Sequence, residues 1–252
     1  MTSQRLDGRV ALITGASRGL GKQMAEALAE AGATVALVAR SGDLLAAVQT
    51  QITSRGGKAF AFTCDISQEA QVETLAKEVR RHAGVPDILI NNAGINIRKP
   101  LHEYTLEEWH RVMSINVDGP FFCTRSFVPG MIEKIAGRVI NIASTLAHVS
   151  LPHRAAYSGS KFALLGMTKA LALELAPYNV TANAISPGPF ATEINRPLME
   201  DPVKLAEFMA KVPLGRWGNL EEIGALAVFL SSDASGFITG TDIVIDGGWT
   251  AQ

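Results

Sequence analysis

The stretch Val10-Ala11-Leu12-Ile13-Thr14-Gly15-Ala16-Ser17-Arg18-Gly19-Leu20-Gly21-Lys22-Gln23-Met24-Ala25-Glu26-Ala27-Leu28 decides how the chain is read. An apolar run enters a turn with three glycines, and an amphipathic segment leaves it. The run Val10–Thr14 is nearly continuous in its apolar character, which suits a strand covered on both faces, as in a parallel sheet. Gly15, Gly19 and Gly21 permit a sharp turn and a close approach of backbone. The helix that follows offers free N–H groups and its positive dipole end to a pyrophosphate.

The same rhythm continues outward. Strand-like runs fall at Arg9–Thr14, Thr34–Ala39, Lys58–Cys64, Asp87–Asn91, Arg138–Ala143, Val180–Ile185 and Asp242–Ile245. Amphipathic segments such as Gly21–Gly32 and Ala70–Gly84 separate them. This alternation predicts an α/β fold, a doubly wound parallel sheet with right-handed crossovers and helices on both faces. No repeat or linker divides the 252 residues, so a single domain over 1–252 is expected. Pro187 to about Pro213 breaks the rhythm. It is rich in proline and shows no clear strand, and 189–213 reads as a substrate lid.

Composition narrows the function classes. A hydrophobic share of 47% with 19% charged residues fits a globular chain. A net charge of −1 gives no footprint for nucleic acid or an anionic membrane. No apolar run approaches the ~18 residues of a membrane span. The opening residues carry no apolar run behind a basic segment, so no signal peptide and a cytoplasmic location are expected. Cys64 and Cys123 lack metal-ligand spacing and read as reduced thiols, and no metal is expected.

Tyr157 and Lys161 lie four residues apart in a helical stretch, hence on one face. Tyr104 and Tyr178 have no lysine at that offset. A free phenol titrates near ~10, and a neighbouring ammonium is expected to lower that value. A phenol so tuned can exchange a proton with a ketone or alcohol oxygen. Ser144, thirteen residues upstream at a strand end, can hydrogen-bond the reacting oxygen.

The end of the second strand reads Val38-Ala39-Arg40-Ser41. An acid there would accept the ribose hydroxyls of NAD. Here Arg40, with Arg18 in the glycine turn and the Ser41 hydroxyl, suits a 2′-phosphate. The expected cofactor is therefore NADP(H) in preference to NAD(H).

With Thr14 ahead of its Gly-x-x-x-Gly-x-Gly turn, the chain resembles the short-chain dehydrogenase/reductase family. Further matches are Asp65 after the third strand, Asn91-Asn92-Ala93-Gly94 after the fourth, and Asn116 within Ser114–Gly119. Pro187-Gly188 with Thr192, Thr239-Gly240 and Asp246-Gly247-Gly248 also fit. The resemblance implies a seven-stranded Rossmann-type sheet in the order 3-2-1-4-5-6-7 and a homotetramer. It implies cofactor contacts at Gly15, Ser17, Arg18, Gly19, Leu20, Gly21, Arg40, Ser41, Asp65 and Ile66. More are implied at Asn92, Ala93, Gly94, Tyr157, Lys161, Pro187, Gly188, Phe190 and Thr192. It makes Asn116, Ser144, Tyr157 and Lys161 a catalytic tetrad, with Lys161 on the nicotinamide ribose and Asn116 holding a relay water.

Substrate contacts are expected at Asn96, Arg98, Ser144, Leu146, His148, His153 and Tyr157. The segment Asn96–Pro100 resembles gluconate 5-dehydrogenase-like members, in which an arginine meets the substrate carboxylate. A solvated Arg98–Lys99 pair is the other reading. His148 and His153 have no evident partner, and ordinary loop histidines are the preferred reading over the pocket mouth. Phe190, Leu198, Met199 and Phe208 would give the lid an apolar inner face, while Trp217 and Trp249 read as packing residues. A 3-oxoacyl-[acyl-carrier-protein] reductase is an alternative, with Arg125, Lys134 and Arg154 as candidate docking charges. A general carbonyl reductase is another. From a different class comes a catalytically silent NADP-binding regulatory protein, which the complete tetrad speaks against. The apolar helix after Tyr157 and the segment 242–252 read either as tetramer interfaces or as monomer core.

Overall fold

The computed structural model describes residues 4–192, Asn195 and residues 199–251. Seven strands form one sheet: β1 (Val10–Thr14), β2 (Thr34–Ala39), β3 (Lys58–Thr63), β4 (Ile88–Asn91), β5 (Gly137–Ile142), β6 (Val180–Pro187) and β7 (Asp242–Ile245). Their order is β3-β2-β1-β4-β5-β6-β7, and every neighbouring pair is parallel. The expected order holds. Strand limits move by one or two residues, most at β6, which continues to Pro187. Proline is tolerated there because the strand is ending.

The continuous apolar runs have a direct cause. In β1, Ala11 and Ile13 face one core with Met24, Leu28, Val35 and Leu37. Leu12 faces the other, with Ala36, Val38, Leu89 and Val139. Both faces of the strand are thus taken out of water, so alternation with polar residues would be destabilising.

The helices are α1 (Gly19–Glu30), α2 (Gly42–Ser54), α3 (Glu69–His82), α4 (Leu106–Met113), α5 (Gly119–Lys134), α6 (Ala155–Leu175), α7 (Pro202–Met209) and α8 (Leu220–Ser231). Thr105 and Glu108 form a reciprocal capping box that starts α4. A π-helical turn, Ser114–Asp118, joins α4 to α5. The segment expected to be an irregular lid contains α7, so that reading is corrected in part. Leu198 lies outside the described residues. All strands run the same way, so Thr14, Asn91, Ile142 and Pro187 end on one edge of the sheet, where the order switches between β1 and β4.

Candidate active site

The glycine turn is built for close approach. Gly15 holds φ +68°, and a Cβ at Gly21 would lie 2.3 Å from the Gly15 carbonyl oxygen and 2.4 Å from Asn92 Nδ2. Thr14 Oγ1 accepts the N–H groups of Asn92 (3.0 Å) and Ala93 (3.1 Å), and Asn92 Nδ2 donates to Thr14 O at 2.9 Å. The turn after β1 is thereby tied to the end of β4. Arg18 stands at the N-cap of α1 with no side-chain cap, and the first turn carries no acid. The N-terminal end of α1 carries the positive end of the helix dipole, which suits an anion. Arg40 and Ser41 are exposed beyond β2, next to half-buried Ala39. Asp65 Oδ1 accepts Ser67 N and Oγ, which orders the turn after β3. Ile66 is buried, where its side chain meets the space a Cβ on Gly119 would fill. The Thr192 methyl lies 3.7 Å from the position of a Cβ on Gly19. Gly188 donates to Ile245 O at 2.9 Å. These groups form a cradle that fits a phosphorylated dinucleotide.

Beside the cradle the candidate tetrad comes from three elements. Ser144 follows β5 and caps the short turn Thr145–Ala147 by accepting Leu146 N at 3.1 Å. Tyr157 and Lys161 project from the first turns of α6, and Asn116 comes from the π-helical turn. Asn116 is fully buried. Its Oδ1 accepts Ile95 N at 2.9 Å, and its Nδ2 donates to Ile95 O (3.0 Å) and Ser160 Oγ (2.9 Å). Ser160 Oγ in turn donates to Tyr157 O at 2.7 Å. Lys161 Nζ donates to Ile142 O at 2.7 Å. A Cβ on Gly94 would lie 3.3 Å from Asn116 Oδ1 and 3.5 Å from Lys161 Nζ, so both groups border one glycine. Sequence reasoning missed Ser160 and the Ile142 carbonyl, since neither has a distinguishing local pattern.

The electrostatics correct one expectation. Burial raises the Tyr157 pKa, against the lowering effects of the Ser144 hydroxyl and the Arg154 charge. The Lys161 ammonium does not reverse this. It sits 5.7 Å from the centre of the Tyr157 ring and donates to Ile142 O. Burial also pushes Lys161 down to about 8. Each group is driven toward its neutral form because a low-dielectric interior penalises either charge.

On the substrate side, Asn96 Oδ1 is buried without a partner among the described residues. Arg98 is exposed, and Lys99 pairs with Glu108 at 2.9 Å. Leu146 is buried. His148, expected to have no partner, lies 2.5 Å from Asp242 Oδ2, which also accepts Ser186 Oγ at 2.7 Å. That partner is 94 positions away, so no local pattern reveals it. His153 is exposed, with a positive φ of 63°. Phe190 is buried against Gly218. Met199 is exposed, and Phe208 contacts the rings of Trp217 and Trp249 at 5.9 and 5.3 Å. Arg125 pairs with Glu69, and Lys134 with Asp87 at 2.7 Å, so two candidate docking charges are already neutralised.

A doubly wound parallel sheet with a glycine cradle at its switch point and a Ser-Tyr-Lys group at the strand ends defines an α/β oxidoreductase of the Rossmann type. Residues 15–250 match the family model described as enoyl-(acyl carrier protein) reductase. The chain belongs to the short-chain dehydrogenase/reductase family. It is 38% identical to gluconate 5-dehydrogenase of Gluconobacter oxydans, covering 98% of this chain and 96% of that one. It is 36% identical to the 3-oxoacyl-[acyl-carrier-protein] reductase FabG of Aquifex aeolicus, covering 97% and 98%. A gluconate 5-dehydrogenase from Burkholderia cenocepacia, solved with NADP and tartrate, superposes with a TM-score of 0.95 at 37% identity, covering 99% and 98% of the two chains.

Proposed function

We propose that the protein is an NADP(H)-dependent oxidoreductase that interconverts a secondary alcohol and a ketone, with a keto sugar acid as the substrate class. The observation that carries this is the convergence of Ser144, Tyr157, Lys161 and Asn116 beside the glycine cradle. The α1 N-terminus would hold the pyrophosphate, and Arg18, Arg40 and Ser41 the 2′-phosphate. Asp65, Ile66 and residues Asn92–Gly94 would line the adenosine and ribose side. Lys161 would hold the nicotinamide ribose, and Pro187–Thr192, including Phe190, would flank the nicotinamide. The bound cofactor supplies or accepts a hydride.

This chain's residues handle the proton. Tyr157, kept as a neutral phenol by burial, donates to the carbonyl oxygen in reduction and recovers the proton in oxidation. Ser144 hydrogen-bonds the same oxygen as charge develops on it. Asn116, through Ser160, holds the backbone of Tyr157 in place and positions a water beside Lys161 for proton relay. The segment 189–213 closes over the substrate.

A sugar acid is favoured over an acyl thioester by Arg98 at the mouth and by the ion pairs that occupy Arg125 and Lys134. The 3-oxoacyl reading keeps the support of the Aquifex relative. We place the protein in the cytoplasm as a homotetramer, a location consistent with its free, buried Cys64 and Cys123. The test is NADPH oxidation, followed by absorbance, across sugar acids, oxoacyl thioesters and aryl ketones. The wild type turns over at least one class. Tyr157→Phe loses at least ~100-fold in kcat while still binding NADPH. Silence of the wild type toward all three classes would leave a regulatory binding protein as the better account.

A further inference from the structure

Ser144 presents its hydroxyl from a turn that runs straight out of β5, so whatever holds that turn also holds the hydroxyl. The turn first closes on itself. Ser144 Oγ accepts Leu146 N at 3.1 Å, Ala147 N donates to Ser144 O at 2.8 Å, and His148 N donates to Thr145 O at 2.9 Å. A single tight turn has poorly aligned hydrogen bonds and contributes little rigidity of its own. Its place over the sheet depends on what fastens the residues just beyond it.

Two side chains fasten them. His148 Nε2 lies 2.5 Å from Asp242 Oδ2 at the start of β7, and Ser186 Oγ on β6 donates to the same oxygen at 2.7 Å. An ionised carboxylate only accepts, so the imidazole N–H is the donor. Ser186 is fully buried, and Asp242 Oδ1 is buried with no partner among the described residues. A carboxylate so withdrawn from water depends on its donors, which makes this tie stronger than a surface one. Two residues after His148, Ser150 Oγ meets Ser158 Oγ at 2.8 Å. Ser158 is buried and directly follows Tyr157 in α6. The chain beyond Ser144 is thus pinned to β7 on one side and to the Tyr157 turn of α6 on the other. The sheet itself does not need the His148 tie, because backbone pairing already joins Ala184–Pro187 to Asp242–Ile245. What His148 adds is the position of the Ser144 turn.

We propose that His148 is a positioning residue: held by Asp242, it fixes the Ser144 turn so that the Ser144 hydroxyl and the Tyr157 phenol reach the same substrate oxygen. The proposal rests on the oxidoreductase reading above and deepens it by moving His148 from the substrate side of the site to its support.

The experiment follows NADPH oxidation by the full chain with a ketogluconate, acetoacetyl-CoA and acetophenone, and takes forward whichever the wild type reduces fastest. His148→Ala lowers kcat about tenfold or more, because a small misplacement of a reacting group is costly. KM stays within about twofold of the wild type, the mark of an interaction that matters only in the transition state. NADPH fluorescence titration gives the wild-type affinity and shows that the variant is folded. His148→Gln, whose side-chain amide can donate to Asp242, restores most of kcat. Asp242→Ala reproduces the loss from the other side of the bond. It leaves no buried charge unpaired, so it decides the matter if His148→Ala does not fold. A change confined to KM makes His148 a substrate contact and overturns the proposal. An unchanged kcat in either alanine variant, or a His148→Gln as impaired as His148→Ala, overturns it as well. A wild type inert toward all three compounds overturns the oxidoreductase reading itself and this role with it, and that failure is visible before any variant is made.

Discussion

Burial moves the two ends of the Tyr157–Lys161 pair in opposite chemical directions, one up and one down, yet both toward the uncharged form. The tyrosine thereby enters reduction as an acid already carrying its proton. The lysine carries a stability cost at neutral pH. Its folded pKa of about 8 lies below the ordinary 10.5, so between those values the unfolded chain binds more protons and stability rises with pH. At about 1.4 kcal/mol per unit, the burden below pH 8 is on the order of 3 kcal/mol, reduced by the hydrogen bond to Ile142 O. Lys161→Met should therefore make the cofactor-free protein more stable at pH 7, by roughly 1–3 kcal/mol. It should also abolish turnover. Urea melts from pH 7 to 10 check this. The advantage of the variant shrinks as pH rises past 8, and an advantage flat with pH would disprove the burial account.

At the scale of elements, the β2–α2 connection is where the proposed choice of cofactor would be made. β2 ends at half-buried Ala39, and Arg40 and Ser41 stand exposed before α2. A guanidinium at that turn attracts a 2′-phosphate, whereas a carboxylate would repel it and accept ribose hydroxyls. Arg40→Asp should shift the NADP-to-NAD ratio of kcat/KM by about tenfold or more toward NAD. Steady-state kinetics with both cofactors measure it, and an unmoved ratio would place the specificity elsewhere. Local elements were legible to different degrees. The strand–turn–helix at Val10–Glu30 was plain, because apolar run, glycines and amphipathic period agree. The π-helical turn at Ser114–Asp118 was not, because it surrounds a buried Asn116 whose partners, Ile95 and Ser160, lie 21 and 44 residues away. Helix α7 was hidden by the prolines around it.

Across the whole molecule, the outer surface carries apolar side chains that the monomer leaves in water. Phe162 and Leu173 on α6 are 51% and 79% exposed, and their spacing puts them on one side of the helix. Phe121 on α5 is also exposed, as is Phe237 near the start of β7. Exposed apolar groups of this kind are candidates for the interfaces of the proposed tetramer. Light scattering should give a mass four times that of the chain, and Phe162→Glu should reduce it to a smaller species. A monomeric wild type at micromolar concentration would refute the tetramer.

The amino-acid sequence alone determined the alternation of strands and helices, the glycine turn and the pairing of Tyr157 with Lys161, while Asn116 entered only through the family resemblance. These depend on relations among residues close along the chain: periodicity, turn chemistry and the four-residue step from Tyr157 to Lys161. Only the tertiary structure decided how burial biases that pair and that His148 meets Asp242. Those outcomes depend on which distant segments the sheet order brings to one edge, and on how much water the assembled core excludes from them.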